Sequence, residues 1–579
     1  MASEDTFERA PGGLPCYVAG LLMRYIPENP LIVQSDHTLL LETMGPQFAV
    51  ARDALSGFAE LVKSPDYVHT YRLTPLSLWN AGAAGLSVEH VLGVLEQYAK
   101  YDVPPNVPVS IRETMGRYGR LKLLPAPKGL RLCADDPVLM TEVLNLKIVQ
   151  PFLGSRQGTT AVFVEVRHRG ELKQALTHVG HPVEDLAGYV DGEVLDMGLR
   201  PTTKLSGASW GLRDYQVNAV DSFHGDGLAQ GGSGVVVLPC GAGKTMVGLG
   251  AMHKLQTRTL ILSTNVTALR QWRAEILDKT TLTEEQIGEY SGETKDVRPV
   301  TLATYQIITF RKSKTDPFVH FDLFDRENWG LIIYDEVHLL PAPVFRAVAQ
   351  LQARRRLGLT ATLVREDGKE EDVFALIGPK RFDVPWKDLE HQGWIAAAVC
   401  TEIRVAFGND DRLRYAVAED REKFRIASIN PKKGPVIDEL LERHKEDRIL
   451  VLGMYIEQLQ YLARRLGAPL IEGRTPQKRR DELFAAFREG VERVLVVSKV
   501  GNFSVDLPDA NVAIQVSGTW GSRQEEAQRL GRILRPKPNE NRAWFYSLVT
   551  RDTNEQSYGE RRQLFLTEQG YAYRIESRA

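Results

Sequence analysis

Cysteine is scarce in this chain. Its four copies, Cys16, Cys133, Cys240 and Cys400, lie far apart and form no CxxC pair, so neither a zinc knuckle nor an iron–sulfur cluster is expected and a reducing compartment fits. Long uncharged apolar runs are missing too. The polar opening MASEDTFERAPGG lacks the charged-then-apolar order of a signal peptide, so no membrane partner is expected and the protein is placed in the cytoplasm. Nor is there an excess of charge of one sign. With 72 basic and 74 acidic side chains the formal net charge is -2, and any grip on nucleic acid must come from local basic surface rather than a global field. Short-period repeats and low-complexity runs are absent as well.

What is present is length and periodicity. A chain of 579 residues outgrows one core and suggests about three or four domains. Three helix starts are signposted early: Thr74-Pro75 before LSLWNAGAAG, Ser87 before VEHVLGVLEQYAKY, and Ser110 to Glu113 as a capping box. The hairpin-like RLKLLPAPKGLRL follows, with Pro127 and Gly129 to turn it, so helices plus hairpin suggest a winged-helix-like module for DNA or for a protein partner. TTAVFVEVRH as a strand and ELKQALTHVG as a helix indicate a small α/β domain. From Gly211 onward short apolar strands alternate with helical stretches twice over, the signature of two parallel sheets flanked by helices.

The chemistry concentrates in this second half. In GVVVLPCGAGKTMVGLGAMHKL a buried strand leads through a loop into a helix. There Gly241, Ala242 and Gly243 would turn backbone N–H groups around phosphate oxygens, Lys244 would add a compact positive charge, and the Thr245 hydroxyl would bind magnesium. Leu238 stands where the strict GxxxxGK[ST] pattern has its first glycine, so this is the shortened GxGKT form. LIIYDEVH is an apolar strand that delivers two carboxylates at its carboxyl end, Asp335 to hold magnesium and Glu336 to polarise the attacking water. An isolated Asp-Glu pair is usually two solvated acids; order downstream of GxGKT favours ATP hydrolysis. EEAQRLGRILR offers Arg529, Arg532 and Arg535 on one helix, with Arg532 and Arg535 on a shared face, a pattern that elsewhere is often plain surface charge.

Taken in order, LRDYQ, LPCGAGKT, TNVTALRQW, ATYQ, LIIYDEVH, LGLTATLVREDGK, ALIGPK, SKVGNFSVDLPDANVAIQVSG, SRQEEAQRLGRILRP and FYSLVTRDTNEQSY resemble the motifs of XPB-type superfamily 2 helicases, covering nearly everything from about residue 211. The resemblance implies ATP and Mg2+ as cofactors, Gln216 reading adenine with Arg213 in support, and arginine fingers at Arg532 and Arg535 preceded by Gln528. It implies that Thr360 and Thr362 couple the γ-phosphate to DNA grip, that Gly501 and Asp506 touch DNA and nucleotide, and that Arg365, Glu366 and Asp367 act in strand separation. Asn502 departs from the acid of eukaryotic members. DDRLRYAVAEDREKFRIAS resembles the family's thumb, in which Arg412, Arg414 and Arg425 would neutralise phosphates while Phe424 packs or stacks on bases; an ordinary amphipathic hairpin explains the same letters. The long acidic insert and basic extensions of eukaryotic members are missing, which suggests a prokaryotic version, nucleoid-associated when on DNA.

The expected fold class is therefore α/β, with two RecA-like parallel-sheet motor domains preceded by the winged-helix-like and small α/β domains. The expected division is a flexible tail (1–28), the winged-helix-like domain (29–140), a damage-recognition-like α/β domain (141–205), the first motor (206–395), a thumb-like insertion (396–432) and the second motor (433–579). Expected partners are single-stranded and forked duplex DNA, with a nuclease or another repair protein. The expected function is a 3′ to 5′ DNA helicase in repair of the nucleotide-excision type. The same engine would also serve a translocase on intact duplex or an ATP-gated clamp that opens DNA without processive unwinding.

Overall fold

In the computed structural model, Thr74 Oγ1 accepts from the Ser77 N–H (3.0 Å) at the head of helix Pro75–Ala83, and Ser87 Oγ from the His90 N–H (3.1 Å) ahead of Val88–Tyr98. Ser110 caps nothing. The third helix spans Asn106–Arg117 because Pro105, with φ preset at -58°, begins the turn five residues earlier. The structure describes residues 16–578 apart from 19–20, 64–66, 229–230, 314–315, 317, 321–322, 324–326, 341–354, 362–369, 385, 499–509, 519–525, 527–528, 532, 535, 537–540, 569–570 and 572.

The chain divides into two units, Met1–Arg120 and Leu121–Ala579. In the first, four antiparallel strands in the order Leu31–Val33, Thr38–Glu42, Val68–Arg72, Glu60–Lys63 carry helices on a core of Leu39, Leu41, Leu55, Leu95 and Ile111. The expected tail ends sooner than residue 28: Cys16–Val18 pairs with Leu21–Met23, and Ile26 N–H donates to Lys100 O (2.9 Å). His69 stands edge-on to Phe48 at 5.0 Å with its Nδ1 buried and unpartnered. Burial first, then Arg52, lowers its pKa to about 4. A histidine whose folded pKa is depressed is protonated more readily when unfolded, so stability is lost as pH falls from about 6.5 through 4. His69→Gln should flatten that loss, measured as the denaturation midpoint of the first unit across this window; an unchanged slope would remove His69 as the cause.

The hairpin expected as a wing, and with it the boundary at residue 140, needs correction. Leu121–Ala126 and Gly129–Ala134 form the middle of a four-stranded sheet completed by Ala161–Val164 and Val183–Asp185, so the hairpin opens the second unit. Alternation decides it: Leu121, Leu123, Leu130 and Leu132 are buried against Leu139, Met140, Leu172 and Leu176 of helices Pro137–Asn145 and Arg169–His178.

The two motor sheets then follow, each seven-stranded and parallel throughout. The first runs Ile287–Tyr290, Val300–Thr304, Thr259–Ser263, Leu331–Asp335, Arg355–Thr360, Ser233–Val237, Lys380–Asp383. The second runs Leu470–Ile471, Val494–Val497, Ile449–Leu452, Val512–Gln515, Arg542–Thr550, Ala397–Val405, Tyr573–Arg578. Their inner strands are buried on both faces, which is why they read as unbroken apolar runs. The thumb-like insertion is smaller than 396–432. Ala397–Val405 is a strand of the second motor, and only the helices Asn409–Val417 and Asp420–Ser428 are inserted after it. Among the described residues no helix is long and apolar enough to cross a membrane.

Lys433 fastens the thumb to this sheet. Its ammonium donates to Ser428 O (3.0 Å), Val516 O (2.9 Å) and both oxygens of Glu555 (2.8 and 2.9 Å), all fully buried, and Glu555 also accepts from Thr550 N–H. Lys433→Met strands a buried carboxylate and should destabilise the second motor by about 3–5 kcal/mol. Adding Glu555→Leu should recover most of that in urea melts; a double variant no better than the single would show that the pair is not the source.

Candidate active site

The phosphate loop follows from glycine. Gly241 (φ +84°) and Gly243 (φ +80°) hold left-handed conformations between strand Ser233–Val237 and helix Lys244–Leu255, so the loop turns back and sets Lys244 at the helix N-terminus. A Cβ on Gly243 would come within 2.6 Å of Gln216 Nε2. Gln216, fully buried, donates from Nε2 to Ala242 O (3.0 Å), while its Oε1 accepts from the Arg213 N–H (2.9 Å) and caps helix Asp214–His224. Gln216 is therefore both a helix-start residue and a clamp on the loop.

Strand Leu331–Asp335 brings the two carboxylates to the loop. Asp335 Oδ2 accepts from Ser263 Oγ (2.9 Å) and Trp272 Nε1 (3.1 Å), and its backbone carbonyl from Tyr305 Oη (2.8 Å). Burial first and Glu336 second push its carboxyl up to about 6, against the pull of those two donors and Lys244. A buried carboxyl held so far above its ordinary range, beside a second one, suits a divalent cation whose charge would relieve it. Glu336 is left-handed (φ +53°), an unusual conformation for glutamate, and aims Oε1 at Lys244 Nζ (3.6 Å). Its Oε2 is buried without a hydrogen-bond partner, 3.5 Å from His338 Nδ1. Burial opposes the charge on Lys244, but Glu336 with Cys240 and Asp335 outweighs it and holds the ammonium above the ordinary lysine range.

His338 also ties the carboxylate strand to its neighbour: its Nδ1 lies 2.6 Å from Thr360 Oγ1. Thr362, Arg365, Glu366, Asp367, Gly501, Asn502, Asp506, Gln528, Arg532 and Arg535 lie outside the described residues. Gly531, from the same stretch of sequence, is described. A Cβ there would collide with Cys240 of the phosphate loop, so only glycine lets the second motor come this close to the first. Arg529 is the arginine of this motif that lies among the described residues. It is buried in the second motor, where Nη1 donates to Gln515 Oε1, and Gln515 Nε2 donates to Glu526 (2.9 Å).

The thumb requires one correction. Phe424 is fully buried, edge-on to Tyr558 at 5.1 Å, so it packs the hairpin onto helix Asn554–Glu568 and does not stack on bases. Arg425 is engaged by Glu457 through two hydrogen bonds (2.8 and 2.9 Å). Arg412 and Arg414 are exposed; Arg414 lies 3.8 Å from Asp411, and Arg412 has no carboxylate within bridging distance among the described residues. Ser263, Trp272, Tyr305 and His338 went unassigned in the sequence although TNVTALRQW, ATYQ and DEVH contain three of them. Those strings were visible, but nothing in them says which side chain turns toward Asp335.

Comparison with known proteins gives three family matches and several relatives over most of the chain. Residues 389–579 match the model of the ERCC3/RAD25/XPB C-terminal helicase, 209–365 that of the type III restriction enzyme res subunit, and 31–158 that of a helicase conserved C-terminal domain. The chain is 56% identical to a "DNA 3'-5' helicase XPB" of Kineococcus radiotolerans, over 95% of this chain and 96% of that one. It is 55% identical to the protein of the same name from Mycobacterium tuberculosis, over 95% and 98%. It is 33% identical to the "General transcription and DNA repair factor IIH helicase/translocase subunit XPB" of Encephalitozoon cuniculi, over 94% and 82%.

Proposed function

The chain belongs to the XPB family of superfamily 2 helicases, and from that premise we propose how it works as an ATP-dependent 3′ to 5′ DNA helicase of DNA repair. ATP lies with its phosphates on the N–H groups of Gly241 to Thr245 and the Lys244 ammonium. Thr245 and Asp335 would hold a magnesium ion, which would supply positive charge to offset that of the phosphates. Glu336 takes the proton of the attacking water with its unpartnered Oε2. Arg213 and Gln216 read adenine, and Gln528 also serves nucleotide binding. Arg532 and Arg535 reach the γ-phosphate from the second motor, so the cleft closes on ATP and opens after hydrolysis.

Thr360 and Thr362 carry that change to DNA, and the hydrogen-bonded contact of Thr360 with His338 supports the link. Arg412 and Arg414 grip backbone phosphates, and Arg365, Glu366 and Asp367 part the strands. The N-terminal unit, which carries none of these residues, is where a nuclease or another repair protein attaches. The observation that supports this reading is the close approach of Gly531 in the second motor to Cys240 in the phosphate loop of the first.

The test is ATPase rate without nucleic acid and with single-stranded DNA, forked duplex and RNA side by side, together with forked-duplex unwinding. DNA should stimulate and RNA should not; equal stimulation by RNA would overturn the substrate assignment. Glu366→Ala should keep the DNA-stimulated ATPase and lose unwinding, and unwinding at the normal rate would dismiss the separating role.

A further inference from the structure

The two motor sheets are joined through residues 392–396, and this connection is fixed to the second motor. Asn541 Nδ2 donates to Gly393 O (3.4 Å) and Ile395 O (3.3 Å), and Ala396 N–H donates to Leu534 O (2.8 Å), next to the arginine-bearing segment. Trp394 in its middle is 37% exposed, a large ring left partly on the surface. Its ring lies 4.4 Å below the guanidinium of Arg213 in the first motor, with the Tyr215 ring at 6.5 Å. Arg213 Nη1 donates to Tyr215 Oη (3.0 Å), and that hydroxyl donates to Ala242 O of the phosphate loop (2.7 Å). Contacts thus run unbroken from the connection, through Arg213 and Tyr215, to the loop. No carboxylate pairs with the Arg213 guanidinium among the described residues; the Tyr215 hydroxyl holds its edge and the indole ring backs its face.

We propose that Trp394 is a positioning residue for base recognition: it backs the Arg213 guanidinium so that the opposite face serves as a stacking platform for the adenine of ATP. A guanidinium is flat and weakly hydrated, and it stacks on both faces; pinned on one side by indole, it offers the other to a purine without first losing rotamer freedom. Because the connection is bonded to the second motor at Leu534 and Asn541, base occupancy is felt where the two motors hinge. The inference rests on the reading of Gly241 to Thr245 as the triphosphate site.

The experiment compares the affinity of the full chain, with magnesium, for ATP and for inorganic tripolyphosphate, which has the phosphates and no base. Trp394→Ala should weaken ATP about tenfold and leave tripolyphosphate unchanged, while Trp394→Phe keeps most of the ATP affinity. Arg213→Met should show the same base-selective loss, and the double variant should lose no more than the larger single one. An unchanged ratio of ATP to tripolyphosphate affinity in Trp394→Ala, or additive losses in the double variant, would overturn the proposal. Failure of the triphosphate site itself looks different: wild type would bind neither ligand, or Lys244→Ala would spare both.

Discussion

Glu336→Gln binds ATP at least as tightly as the parent and turns it over about 1000-fold more slowly, the loss expected when a positioned general base becomes an amide. Several features make this carboxylate the base and not a bystander. Its backbone is forced left-handed at the end of strand Leu331–Asp335, a conformation glutamate rarely adopts unless the surroundings impose it. Its Oε1 faces Lys244, and its Oε2 is buried with no hydrogen-bond partner, ready to accept from a water. Glutamine has the same shape, so packing and φ survive. The neutral amide also stops competing with phosphate oxygens for the Lys244 ammonium, which is why affinity should not fall. Single-turnover hydrolysis with a parallel nucleotide titration reads both quantities. Hydrolysis at the parent rate would take the base assignment away from Glu336.

Removal of the lysine produces the opposite pattern. Lys244→Ala costs about 3 kcal/mol of ATP affinity, roughly 150-fold, because a charge-assisted contact to phosphate is lost and nothing nearby replaces it. Asp335 and Glu336 would then be two neighbouring buried carboxyls without their cation, and Asp335, already pushed up by burial and by Glu336, would rise further. A triphosphate would meet the charge of Glu336 with no ammonium to offset it, a repulsion that protonation of Asp335 softens only in part. Lys244→Arg should not restore binding, since the loop turns tightly around a compact ammonium and a forked guanidinium has a different reach. Titration calorimetry with ATP measures the difference; parent-like affinity in Lys244→Ala would mean that the phosphates sit elsewhere.

The catalytic loop and the carboxylate strand were legible because each is one contiguous string whose chemistry is local. Glycines in left-handed turns, a lysine at a helix start and acids at a strand end announce themselves by neighbours within a few residues. The wing was misread for the converse reason. Residues 121–134 make a hairpin whatever lies beside it, and only the strands Ala161–Val164 and Val183–Asp185, added on either side, decide which sheet it joins. Phe424 is a similar case: an aromatic on an amphipathic helix has the same spacing whether it faces nucleic acid or, as here, Tyr558.

The sequence alone determined the class of the engine. Two sets of doubly buried strands, a phosphate loop, two acids and an arginine-rich segment are patterns of short range, set by turn geometry, helix capping and the period of burial. Tertiary structure decided which distant groups share a point in space: Ser263 and Trp272 on Asp335, Gly531 on Cys240, Lys433 against Glu555, Trp394 beneath Arg213. Periodicity tells a residue whether to be buried and is silent about what it is buried against. That choice belongs to the packing of whole elements, and it was settled when the sheets and helices came together.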